Sequence, residues 1–175
     1  MLYRELEAES RKEWLVSGLL GSGDASAFYG VPGCGKSMLV EDMALHIAAG
    51  REWHGRMTKQ GAVLYVALER KTLVERRAIA FRTRYGDSDL PFAVIGGVYD
   101  FRDPKTTPEV LKVAREVETD QRIVLVLIDT ISCALCGGDE NSPKDMGMIV
   151  AAMSRLKPRR TFYGSTTCRR TAQKD

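Results

Sequence analysis

The stretch Gly30-Val31-Pro32-Gly33-Cys34-Gly35-Lys36-Ser37 constrains this chain more than any other. It meets the pattern G-x-x-x-x-G-K-[ST] at every fixed position. It follows a short apolar run, Ala25 to Tyr29, that reads as a buried strand. It opens an apolar-periodic segment that reads as a helix from Lys36 to Ala49. In that setting the pattern describes a phosphate-binding loop. Glycines let the backbone turn its N–H groups inward around phosphate oxygens. The helix that follows offers its N-terminal dipole and unpaired N–H groups to the anion. Gly30, Pro32, Gly33, Cys34, Gly35, Lys36 and Ser37 are therefore the candidate nucleotide-holding residues. Lys36 is expected to reach the β- and γ-phosphates of ATP, and the Ser37 hydroxyl to ligate Mg²⁺.

The rest of the chain reads as strands alternating with helices. Leu39, Val40, Met43, Ala44 and Ile47 are expected to form the apolar stripe of the first helix, and Gly50 suits the position just past its end. His46, beside that stripe, reads as a packed histidine. Ala62 to Leu68 is a continuous apolar run, as expected of a strand covered on both faces, and it ends on Glu69. A helix is expected from Leu73 to Arg84, with Arg76, Arg77, Arg82 and Arg84 on a solvated face. Phe92 to Ile95 is a further strand, and Pro108 is expected to open a helix. Ile123 to Ile128 is the strongest strand signal and ends in Asp129-Thr130. Ser142 caps a helix from Pro143 to Leu156. The expected fold class is α/β, a mostly parallel sheet flanked by helices on both faces, with ligand at the carboxyl ends of the strands.

Asp129 closes an apolar strand about ninety residues past the phosphate loop, a Walker B pattern. A hard cation between phosphates needs such an oxygen anion, directly or through water. Hydrolysis also needs a group that activates water. Glu69, at the end of its strand, is favoured over Glu140, which lies in a loop. Lys36 and Glu69 are thus the candidate catalytic residues, and Ser37 and Asp129 the candidate metal ligands. Cys133-x-x-Cys136 is a weak metal signal without a second pair or nearby histidines.

Bulk properties narrow the alternatives. At 175 residues one domain is the natural expectation. No apolar run approaches a membrane span, and Met1 to Glu13 lacks the apolar stretch of a signal peptide, so a cytoplasmic protein with free thiols is expected. The net charge of +3 is misleading. Lys157, Arg159, Arg160, Arg169, Arg170 and Lys174 face a single acid, Asp175, in the tail. The body is mildly acidic, and bulk charge gives no argument for DNA binding.

These stretches together resemble the RecA-like P-loop NTPase fold, in particular the RepA-type hexameric helicases among AAA-family ATPases of plasmids and phages. The resemblance rests on Trp14-Leu15-Val16, the phosphate loop, Leu45 to Arg51, Trp53-His54-Gly55, Val63 to Glu69, Ile128-Asp129-Thr130 and Gly137 to Ser142. It implies an ATPase core, Glu69 as the water-activating acid, Asp129 as the Walker B acid, a hexameric homo-oligomer and single-stranded DNA as a partner. Other functions in view are a nucleotide-binding but non-catalytic fragment and a small-molecule P-loop kinase.

Three regions follow: residues 1–24, a leading helix and a glycine-rich approach; 25–156, the ATPase core; and 157–175, a basic tail. The resembled family continues past Leu156 into a sensor strand ending in paired histidines, at the centre of the sheet. Here the tail contains no histidine and no apolar run of useful length. Reading the third base of each codon with the first two of the next permits HVLWVHHV over Thr161 to Cys168. The tail is therefore expected to be out of frame and the core incomplete, with the central strand missing, hydrolysis weak and solubility poor.

Overall fold

The structure, a computed structural model, describes residues 12–86, 89–118, 121–156 and 161–167, the last stretch through its backbone alone. The leading helix and all six basic residues of the tail lie outside the described residues. β1 (Trp14–Val16) and β2 (Leu20–Gly21) form a small antiparallel pair. There follow β3 (Ala25–Gly30), α1 (Lys36–Ala49), β4 (Ala62–Ala67), α2 (Lys71–Tyr85) and β5 (Phe92–Gly96). The chain continues through α3 (Thr106–Val117), β6 (Ile123–Asp129), the short α4 (Ile131–Ala134), α5 (Pro143–Leu156) and β7 (Thr161–Thr167).

The main sheet has five strands in the order β3-β7-β6-β4-β5, and every pairing in it is parallel. β4 is buried along its whole length, as its unbroken apolar sequence requires of a strand covered on both faces. Alternate residues feed two cores. Ala62, Leu64 and Val66 meet α3 and α5 through Val110, Ala114, Ile149 and Ala152. Val63, Tyr65 and Ala67 face α1 through Val40, Met43, Ala44 and Ile47. Helices therefore cover both faces. Leu15, Val16 and Leu20 belong to the second cluster, so the approach to β3 packs into the core under α1.

β6 shows how register sets side-chain direction. Ala62 pairs with Ile123, but Val63 pairs with Leu125, so Val124 is one residue too many. The bulge reverses the alternation: Ile123 lies with Val126 and Ile128 on the α5 face, while Leu125 and Leu127 point to α1. Asp129 continues the second series and so emerges on the face where α1 begins.

Several local expectations hold. Gly50 has φ 66°, its N–H donates to the Ile47 carbonyl at 3.1 Å and the Arg51 N–H to that of His46 at 2.9 Å, which ends α1. The Asp145 N–H donates to Ser142 Oγ at 3.3 Å at the start of α5. His46 is packed, with Nδ1 2.7 Å from the Asp42 carbonyl and its ring edge-on to Phe81. Two boundaries differ: α2 and α3 each begin two residues before expectation, at Lys71 and Thr106.

The expectation of a missing central strand is overturned. β7 fills that slot, pairing with β3 from Ala25↔Phe162 to Gly30↔Thr167 and with β6 from Leu125↔Thr161 to Asp129↔Ser165. A slot between two parallel strands demands backbone donors and acceptors on both sides, which any non-proline residue supplies. The sequence TFYGSTT also combines β-branched and aromatic residues, which favour strands without forming an apolar run.

Candidate nucleotide and metal site

The site forms where the strand ends converge. Gly30 leads into a loop in which Gly33 and Gly35 have φ 77° and 87°, a backbone shape that a β-carbon disfavours. Gly30 has no such backbone shape, and a β-carbon there would make only ordinary contacts, 3.4 Å from Cys34 Sγ and 3.7 Å from Lys36 Cδ. α1 then starts with no side-chain cap and no acid in its first turn. Its leading N–H groups are left for an anion.

Lys36 is 7% exposed, and its Nζ donates at 2.9 Å to the carbonyl oxygens of Gly30 and Val31. The ammonium is thus held inside the curve of the loop. Ser37 Oγ donates to Asp129 Oδ1 at 3.1 Å, across 92 residues of sequence. Tyr65, fully buried on β4, donates its hydroxyl to Asp129 Oδ2 at 2.8 Å. Burial, and then the adjacent Asp129 carboxylate, push the Tyr65 phenol far above its ordinary range, so it stays a donor. Both carboxylate oxygens of Asp129 are therefore oriented.

Glu69 follows the end of β4, next to β6, where Ala67 pairs with Asp129. Its Oε1 accepts from Thr130 Oγ1 and from Cys133 Sγ, each at 3.2 Å. Thr130 is also the N-cap of α4, where its side chain accepts from the Cys133 N–H.

Pro32, Gly33, Gly35, Lys36, Ser37, Glu69 and Asp129 line one cavity of about 360 Å³. Seven of the nine anticipated site residues thus meet in one space. Gly30 and Cys34 are outside the lining, and Gly30 enters the site through its carbonyl, which accepts from Lys36. Glu140, the alternative acid, is held elsewhere by Ser132 Oγ at 2.7 Å. The donor set fits a magnesium nucleotide: a buried ammonium and free helix N–H groups suit phosphate, and a hydroxyl touching a carboxylate suits a hard cation. Ser37 and Asp129 would hold Mg²⁺, which when bound neutralises charge on phosphate oxygens.

Sequence reasoning missed three neighbours. Tyr65 was legible in principle, since a buried tyrosine hydroxyl needs a partner. The C-x-x-C spacing of Cys133 gives no hint that its thiol contacts Glu69. Arg77 was assigned to a solvated face, but it lines the cavity and pairs with Glu41 at 3.0 Å. α2 turns that arginine inward because Glu41 on α1 is buried and requires a cation. No helix among the described residues is long and apolar enough to cross a membrane.

Compared with protein families, the chain matches the one described as AAA domain over residues 4–167. No curated protein matches it.

Proposed function

The chain belongs to the AAA domain family of P-loop ATPases, and on that premise we propose that it is the ATPase core of a RepA-like DNA helicase or translocase. The observation that carries ATP hydrolysis is the junction of Ser37 with Asp129 at 3.1 Å, on the same cavity as Lys36 and Glu69. Lys36 binds the terminal phosphates, and Ser37 with Asp129 holds Mg²⁺. Glu69 takes the proton of the attacking water: it is the remaining carboxylate lining the cavity, and Asp129 is already engaged through both oxygens. The helicase role, the hexameric ring and single-stranded DNA as partner rest on the resemblance of the motifs from Trp14 to Ser142, and a cytoplasmic setting accompanies that role.

Phosphate release measured with and without single-stranded DNA tests the motor reading. DNA stimulation supports a helicase or translocase. Turnover indifferent to DNA but dependent on a small-molecule acceptor points to a kinase. Glu69→Gln tests the chemistry: turnover is expected to fall by about a thousandfold with nucleotide binding retained. Equal turnover in both forms would leave a nucleotide-binding chain without this catalytic residue.

A further inference from the structure

Glu41 lies on α1 one turn beyond Ser37, and its side chain is 1% exposed. Its Oε2 accepts from Arg77 Nη1 at 3.0 Å, while Oε1 has no hydrogen-bond partner among the described residues. A buried carboxylate with one unanswered oxygen is held only by its cation, and that cation is not sealed away. Arg77 keeps 31% of its side chain exposed and borders the same cavity as Lys36, Ser37, Glu69 and Asp129. The guanidinium therefore stands between two anionic partners, a carboxylate behind it and a phosphate site in front.

We propose that Arg77 is a triphosphate-sensing residue held in reserve by Glu41, remaining on the carboxylate beside a nucleoside diphosphate and transferring to the terminal phosphate of a nucleoside triphosphate. The inference rests on the ATP-site reading above. Arginine suits the role because its planar fork can leave a singly bonded carboxylate for a phosphate, which it can grip through two N–H groups, without losing charge. Preference for one ligand arises from contacts made in one state and not the other. Here that contact is an extra cation on the γ-phosphate.

The surroundings of Glu41 ease the exchange. Burial, with Asp129 of β6 and Asp42 of α1 nearby, pushes its carboxyl up to about 7 even with Arg77 of α2 in place. Tyr65 of β4, the other titratable neighbour, stays uncharged. A carboxylate released by Arg77 is thus readily neutralised. Arg77 also shares α2 with the segment that begins one residue past Glu69, at the N-cap Arg70. Movement of the guanidinium consequently couples the terminal phosphate to the backbone that carries the water-activating acid.

Calorimetric titration of the full chain with Mg²⁺ and either AMP-PNP or ADP tests this. Arg77→Ala is expected to weaken AMP-PNP binding by about tenfold and ADP binding by less than about twofold. Glu41→Gln, which keeps the shape but frees the arginine, is expected to tighten AMP-PNP several-fold. Arg77→Ala strands a buried charge and could unfold, so the double variant Glu41→Gln/Arg77→Gln repeats the test without one. It should show the same selective loss. Equal losses for both nucleotides, or an AMP-PNP loss in Glu41→Gln matching that of Arg77→Ala, would overturn the inference alone. Failure of the unaltered chain to bind either nucleotide would overturn the ATP-site reading and the inference with it.

Discussion

Asp129 is the residue on which the site turns, because three elements meet at it. It ends β6, takes the Ser37 hydroxyl from α1 and takes the Tyr65 hydroxyl from β4. Tyr65→Phe removes one of these bonds and leaves the ring in place. It is expected to cost about 1 kcal/mol of stability and to raise the Mg²⁺ concentration needed for half-maximal ATP hydrolysis. Thermal melting and a magnesium titration of turnover measure the two effects. Lys36→Ala is expected to abolish detectable hydrolysis, since it removes the cation placed for the terminal phosphates. Glu41 gives a pH dependence whose sign is determined by burial. Its folded value of about 7 lies above the ordinary 4.5. Between those limits the folded chain binds more protons than the unfolded one, so the contribution is complete below the lower value and is lost as pH rises through the upper. The melting temperature should fall across that window, and Glu41→Gln should flatten the fall. A Glu41→Gln profile parallel to the unaltered one would show that another group sets the slope.

At the scale of elements, β4 and β6 supply most of the organisation. They are adjacent and parallel, and their register brings the end of β6 beside the end of β4, so Asp129 and Glu69 enter one cavity. The bulge at Val124 then decides which face receives Asp129. Leu64, fully buried between β4 and the α3–α5 layer, tests how firmly this pair is held. Leu64→Ala is expected to cost about 3 kcal/mol, read from denaturant unfolding. Its side chain faces away from the α1 layer, so the nucleotide affinity of the folded fraction should change little. α1 is held along its length by the buried stripe of Val40, Met43, Ala44 and Ile47, while its uncapped start opens on the cavity and Gly50 closes the other end in a left-handed conformation.

At the scale of the whole molecule, β7 decides whether there is one sheet. Its backbone joins β3, which leads into the phosphate loop, to β6, which ends at Asp129. A chain ending at Leu156 is therefore expected to lose nucleotide binding and to aggregate more readily than the 175-residue chain. Soluble, nucleotide-binding protein from the shorter chain would show that β3 and β6 associate without β7. The out-of-frame reading of the residues from Lys157 is a proposal about the gene, and the nucleotide sequence beyond codon 156 decides it. The local sequence determined the phosphate loop, the acids at the ends of β4 and β6, and the helix from Pro143 to Leu156. Glycine placement, apolar runs and caps act within a few residues and are written in order along the chain. Only the tertiary structure decided that TFYGSTT occupies the slot between β3 and β6, that Tyr65 and Ser37 share Asp129, and that Arg77 faces Glu41. Each of these joins elements distant in sequence, where backbone pairing and the need to compensate a buried polar group outweigh local preference.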